Sequence, residues 1–162
     1  MTLLKCDQQP TNDRTECANL LNNFFQQQFC QSHSIVDIPP IAQTHEAIEV
    51  SVKGVTKLIT SLGNGKSPGP DGIRKPDLMI NVPTTAACLS QIFRASLKCG
   101  KLPAQWKLAH VTPIHKGEET NLVANYRPIS LTSIPCKILE HIVLHHLNEK
   151  LDCILHNRQH GF

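Results

Sequence analysis

Residues 102–131 read LPAQWKLAHVTPIHKGEETNLVANYRPISL, and the order of apolar and turn-forming residues in this stretch decides the fold class. Residues 108–114 alternate weakly between apolar and polar and close on Pro113-Ile114. A second short apolar piece, residues 128–131, follows a charged, turn-forming loop at 116–126. Strand, loop, strand in that order predicts one small antiparallel hairpin with a charged tip. The hairpin stands alone among segments whose apolar residues recur with the period of a helix, so the chain reads as α/β: helix-rich α+β with a single hairpin.

Outward from the hairpin, residues 133–151 carry Ile138, Leu139, Ile142, Val143, Leu147 and Leu151 in the pattern of the longest helix. On the other side, residues 84–98 place Leu89, Ile92, Phe93, Ser96 and Leu97 on one helical face before Cys99-Gly100 ends it. Further back, Ile48, Val52, Val55, Ile59 and Leu62 recur at steps of four and three. They predict a helix with Thr44 at its N-cap and Gly63-Asn64-Gly65 as its stop. Residues 15–31 hold Leu20, Leu21, Phe24, Phe25 and Phe29 at helical spacing, and Pro39-Pro40 marks a linker after them.

The 162 residues are enough for one domain with its own core, but only seven are Phe, Trp or Tyr, so that core is modest. The net charge of +3 hides an asymmetry. Residues 1–63 carry four Lys and Arg against six Asp and Glu, whereas residues 64–162 carry twelve against seven, so the basic character belongs to the second part. No apolar run spans a bilayer and no signal-peptide core follows Met1, which gives the expectation of an intracellular protein without membrane contact. The seven cysteines are scattered, with no CxxC pair, and read as reduced, mostly buried thiols.

Three groups of residues carry candidate chemistry. In Lys66-Ser67-Pro68-Gly69-Pro70-Asp71-Gly72-Ile73, the prolines fix φ and the glycines let the backbone approach a ligand, while Lys66 supplies a charge suited to phosphate. The GxxxxGK[ST] spacing of a P-loop is absent, and a Pro-Gly turn linking two helices is the plainer reading of this string alone. Lys116 and Arg127 flank the hairpin loop and lie near each other at the base and tip of the hairpin. A point charge paired with a forked donor suits a triphosphate, although two such cations are also common on a solvated face. His141 and His145 sit one helical turn apart with His146 adjacent, but no HExxH register or recurring carboxylate supports a metal. Asp71, Asp77, Glu118 and Glu119 form no apolar-flanked pair of the kind that two-metal polymerase chemistry requires. The chain is therefore expected to hold neither catalytic nor metal-binding residues.

Taken together and in order, KSPGPDGI, LPxxWKxAxVxPIHKG, NYRPISLTS, CKILEHI and QHGF resemble the reverse transcriptases of non-LTR retrotransposons of the jockey-like type, over residues 44–162. The resemblance implies a partial right-hand polymerase fold, with residues 44–162 as its fingers region and residues 1–43 as a helical connector ahead of it. It implies template RNA at Lys66, Pro68, Gly69, Pro70, Asp71 and Gly72, and the phosphates of incoming deoxynucleoside triphosphates at Lys116 and Arg127. The helix containing CKILEHI would pack the fingers together. DNA primer and Mg²⁺ would engage the intact enzyme, whose palm aspartates and thumb lie beyond Phe162, so this chain would be inactive alone and the parental activity nuclear. A domesticated, non-enzymatic nucleic-acid-binding module or a helical interaction protein is the alternative.

Overall fold

Three of the described helices begin where a side chain accepts a hydrogen bond from the first turn. The computed structural model describes residues 3–5, 8–11, 13–28, 47–117 and 119–151. Two short strands, β1 (Leu3–Lys5) and β2 (Gln8–Thr11), pair antiparallel, with an irregularity between Leu3 and Lys5. This pair is a second hairpin, where the sequence predicted only one. The segment lacks alternation and carries Pro10, which demotes a strand in any pattern-based reading.

Helix α1 (Arg14–Gln28) starts behind Asp13, whose Oδ1 accepts from the Glu16 N–H at 2.8 Å, while Thr11 Oγ1 donates to Glu16 Oε2 at 2.6 Å. An acidic cap with Glu three residues later is the capping-box pattern. Helix α2 (Val52–Ser61) begins at Ser51, whose Oγ accepts from the Gly54 N–H at 3.0 Å. The predicted start at Thr44 lies outside the described residues, but Ile48 and Val50, expected within the helix, precede it. Arg94 explains the difference. Its Nε and Nη2 both donate to the Val50 carbonyl, at 2.9 and 2.7 Å, which ties this backbone oxygen to a side chain instead of to a helical turn.

A short helix α3 (Lys75–Met79) follows, unpredicted because five residues with a proline show no period. Helix α4 (Val82–Cys99) is capped by Asn81, which accepts from the Thr84 N–H, and ends at Gly100 in the left-handed conformation at φ 64°. Strands β3 (Ala109–His115) and β4 (Tyr126–Thr132) form the expected hairpin, and α5 (Ile134–Leu151) the expected long helix.

The described chain divides into two compact units, residues 1–44 with 111–130 and residues 45–110 with 131–162. In the first, Cys17, Leu20, Leu21 and Phe25 of α1 form an apolar cluster with Tyr126. In the second, Val55 and Ile59 of α2, Leu89 and Phe93 of α4, and Ile134 and Ile138 of α5 build the core. Phe93 and Trp106 meet edge to face at 5.7 Å there. Burying each such side chain is worth about 1.5–3 kcal/mol, so a core of this size holds the three helices together without many aromatics. Ile92, expected on the same face as Phe93, is instead 42% exposed. No helix among the described residues is long and apolar enough to cross a membrane.

Candidate nucleic-acid interface

The loop at residues 66–73 closes a turn, with the Gly72 N–H donating to the Gly69 carbonyl at 3.1 Å and Gly72 at φ 69°, where a glycine is favoured. The Ile73 N–H donates to Asp71 Oδ1 at 3.3 Å, and Asp71 Oδ2 accepts from Ser133 Oγ at 2.6 Å. Gly69 is buried against the backbone at the junction of β4 and α5. A Cβ built on it would stand 2.5 Å from Ser133 N and 2.6 Å from the Thr132 carbonyl carbon. The close approach expected of this loop is therefore an approach to the protein's own chain, and Asp71 is occupied in holding it. Pro68, Pro70 and Asp71 are half-buried, whereas Lys66 and Gly72 are exposed. Lys66 makes no side-chain hydrogen bond or ion pair with another described residue. At the entrance to the loop, Lys75 Nζ donates to the Leu62 carbonyl and, at 2.9 Å, to Asn64 Oδ1, which caps the end of α2.

The hairpin tip lies in the other unit. The Lys116 N–H donates to the Asn125 carbonyl at 2.8 Å, and the His115 and Tyr126 rings lie 5.2 Å apart. That pairing puts His115 and Tyr126 on one face. By the alternation of a strand, Arg127 is then on the opposite one, whereas Lys116 lies just past the end of β3. Tyr126 is buried; Lys116 and Arg127 are both exposed. Both cations stand at the loop end of the hairpin, because Lys116 leaves β3 and Arg127 is the second residue of β4. Neither makes a side-chain hydrogen bond or ion pair with another described residue.

Asn125 and Tyr126 shape the loop between them. Asn125 Nδ2 donates to the Glu119 carbonyl and Tyr126 Oη to the Thr120 carbonyl, each at 2.9 Å. No pattern in the sequence gives these two residues a role, although Asn and Tyr directly before the Arg-Pro pair are residue types that commonly anchor loop carbonyls.

Asp71 and Asp77 are each engaged within the protein. Asp71 is bonded to Ser133. Asp77 accepts from the Arg74 N–H at 2.8 Å and pairs with its guanidinium at 3.3 Å, which holds the Asp77 carboxyl below and the Arg74 guanidinium above its ordinary range. Among the described residues no three His, Cys, Asp or Glu side chains stand close enough to share an ion. Of the histidines, His145 Nε2 lies 3.6 Å from Glu149 Oε1, a surface pair when protonated.

A scan against models of known protein families finds no match. Among curated proteins, the chain is 34% identical over 116 residues, 70% of its length, to the probable RNA-directed DNA polymerase from transposon BS of Drosophila melanogaster. It is 33% identical over 99 residues to the RNA-directed DNA polymerase from mobile element jockey of the same organism. It is also 27% identical over 144 residues, 86% of the chain, to a putative 115 kDa protein in the type-1 retrotransposable element R1DM. The matched stretches are only 13, 11 and 13% of those three relatives.

Proposed function

We propose that this chain, a homologue of the RNA-directed DNA polymerases of non-LTR retrotransposons, is a fingers-region segment of such an enzyme that contacts template RNA and incoming nucleotide but leaves the chemistry to carboxylates elsewhere in the polypeptide. Residues 44–162 form the polymerase portion in this reading and residues 1–43 a connector ahead of it. Lys66 and the exposed Gly72 end of the 68–72 turn face the template, with Gly69 and Asp71 holding the turn in place, and Lys116 and Arg127 face the triphosphate.

The observation that carries the reading is the clamp between two of the motifs that define the resemblance. Gly69 and Asp71 of KSPGPDGI are seated on Thr132 and Ser133 of NYRPISLTS, so the loop bearing Lys66 is held to the base of a hairpin strand. A site that must position a polymeric ligand needs such support beneath its charged groups. At the hairpin tip, Lys116 and Arg127 are both exposed and offer the complementary donor geometries that a polyphosphate accepts.

The test is primer extension on an RNA template with Mg²⁺, using this chain alone and joined to the following polypeptide of its parental reading frame. The reading expects extension only from the joined protein, since phosphate contacts cannot replace metal-bound carboxylates. Extension by the isolated chain above a boiled control would overturn the division of labour. An inactive joined protein that also fails to bind primer–template would overturn the assignment.

A further inference from the structure

The end of α2 and the first three turns of α5 enclose a cleft of about 400 Å³. Its apolar lining is Leu62, Ile134 and Leu144, and Lys66, Lys137, Glu140 and His141 supply the polar groups. Lys66 belongs to the loop already assigned to the template, whereas Lys137 comes from the CKILEHI helix, to which sequence reading gave only a packing role. The structure brings the two lysines to one concave surface.

Neither lysine is neutralised there. Glu140 shares the cleft, yet it makes no ion pair with Lys66 or Lys137 and instead accepts from the Cys136 thiol at 3.5 Å, one turn back on α5. Lys137 is half-buried, and its ammonium has no hydrogen-bonded partner among the described residues. Two unpaired cations lining one cleft attract an anion, and two positive charges on one surface suit a polyanion better than a single ion. No Phe, Tyr or Trp ring lines the cleft, so the contacts it offers are chiefly to phosphate and sugar. Lysine ammonium groups act as point charges without the planar fork that selects a particular edge, so the contact is independent of sequence.

We infer that Lys137 is a phosphate-binding residue that joins Lys66 in holding the backbone of single-stranded RNA across this cleft, with Glu140 as a counter-charge that weakens the hold. The inference rests on the template-binding reading of Lys66 and adds a second helix to that site. His141 lines the same cleft.

Fluorescence anisotropy with a labelled single-stranded RNA of about 20 nucleotides, titrated with the full chain across a salt series, tests it. Each phosphate contact to a single strand contributes about −0.7 to the slope of log K against log salt. Lys66→Gln and Lys137→Gln are each expected to weaken binding several-fold and make the slope shallower by about 0.7, and Lys137→Arg to retain both. Glu140→Gln is expected to tighten binding two- to threefold, an effect that a merely structural role for α5 does not produce. If Lys66→Gln weakens binding while Lys137→Gln and Glu140→Gln leave affinity and slope unchanged, the inference fails and the template reading stands. If the native chain shows no salt-dependent RNA binding, both fail. Should Lys137→Gln unfold, the Lys137→Arg and Glu140→Gln results decide alone.

Discussion

The carboxylate of Asp71 accepts a hydrogen bond from Ser133 Oγ at 2.6 Å, joining two residues 62 apart in the chain at the place where a turn meets the start of a helix. Ser133 is fully buried, so its hydroxyl has no water to turn to if Asp71 is removed. Hydrogen bonds to charged groups are worth roughly 1.5–3 kcal/mol, and the half-exposure of Asp71 lowers that to about 1–2 kcal/mol. Asp71→Ala and Ser133→Ala are each expected to destabilise the chain by this amount in urea unfolding. The double variant should lose less than the sum, because both remove one bond. Additive losses would show that the two side chains are not coupled.

Gly69→Ala is expected to destabilise by at least about 1–3 kcal/mol, since its Cβ would meet backbone atoms that cannot swing aside as a flexible side chain would. Gly65→Ala is the control, with no atom within 4 Å of the added carbon. It should leave the melting temperature unchanged or raise it slightly by restricting the unfolded chain. Equal effects of the two substitutions would contradict the seating of the loop on Thr132 and Ser133.

The hairpin and the long helix could be read from the sequence because each rests on a local period: the strands at 109–115 and 126–132 flank a charged loop, and apolar residues recur through 134–151. What could not be read is carried by contacts between distant residues. The Arg94 fork on the Val50 carbonyl moves the start of α2 to Ser51, and no pattern within either segment announces it. For the same reason, Gly69 and Asp71 were legible as a special turn but not as a clamp, since their partners lie on the far side of α4. Lys66, Lys116 and Arg127 stood out as charges beside glycine or proline, whereas Lys137 sat inside a helical pattern that accounted for it fully.

Burial and the neighbouring Glu140 and Asp71 carboxylates push the Cys136 thiol up to about 11. An unfolded chain ionises this thiol near its ordinary value of 9.0, so it releases the proton before the folded chain does. The contribution is therefore fully present below pH 9 and lost as pH rises through 11. Urea unfolding at pH 8 and pH 10.5 is expected to show a smaller loss of stability for Cys136→Ala than for the native chain. At pH 8, alkylation followed by mass mapping should label the exposed Cys88 and Cys99 well before Cys136. Equal labelling rates would contradict the protected thiol.

Tyr126→Phe keeps the ring in the cluster with Leu21 and Phe25 but removes the bond from its hydroxyl to the Thr120 carbonyl. A loss of about 0.5–1.5 kcal/mol is expected, the usual worth of one neutral hydrogen bond. Faster amide exchange confined to residues 116–126 would accompany it, and exchange unchanged there would remove the loop-anchoring role.

The most direct measurement is steady-state titration of deoxynucleoside triphosphate, at saturating RNA template and DNA primer, with Arg127→Ala in the polypeptide that joins this chain to its polymerase carboxylates. Arg127 is exposed and makes no ion pair with another described residue, so the melting temperature should not change. Loss of a forked, charge-assisted donor worth roughly 1.5–3 kcal/mol should lower kcat/KM for nucleotide about ten- to a hundredfold, with Arg127→Lys recovering only part of it. An Arg127→Ala enzyme with normal kcat/KM and unchanged melting would contradict the assignment of the hairpin tip to the incoming nucleotide.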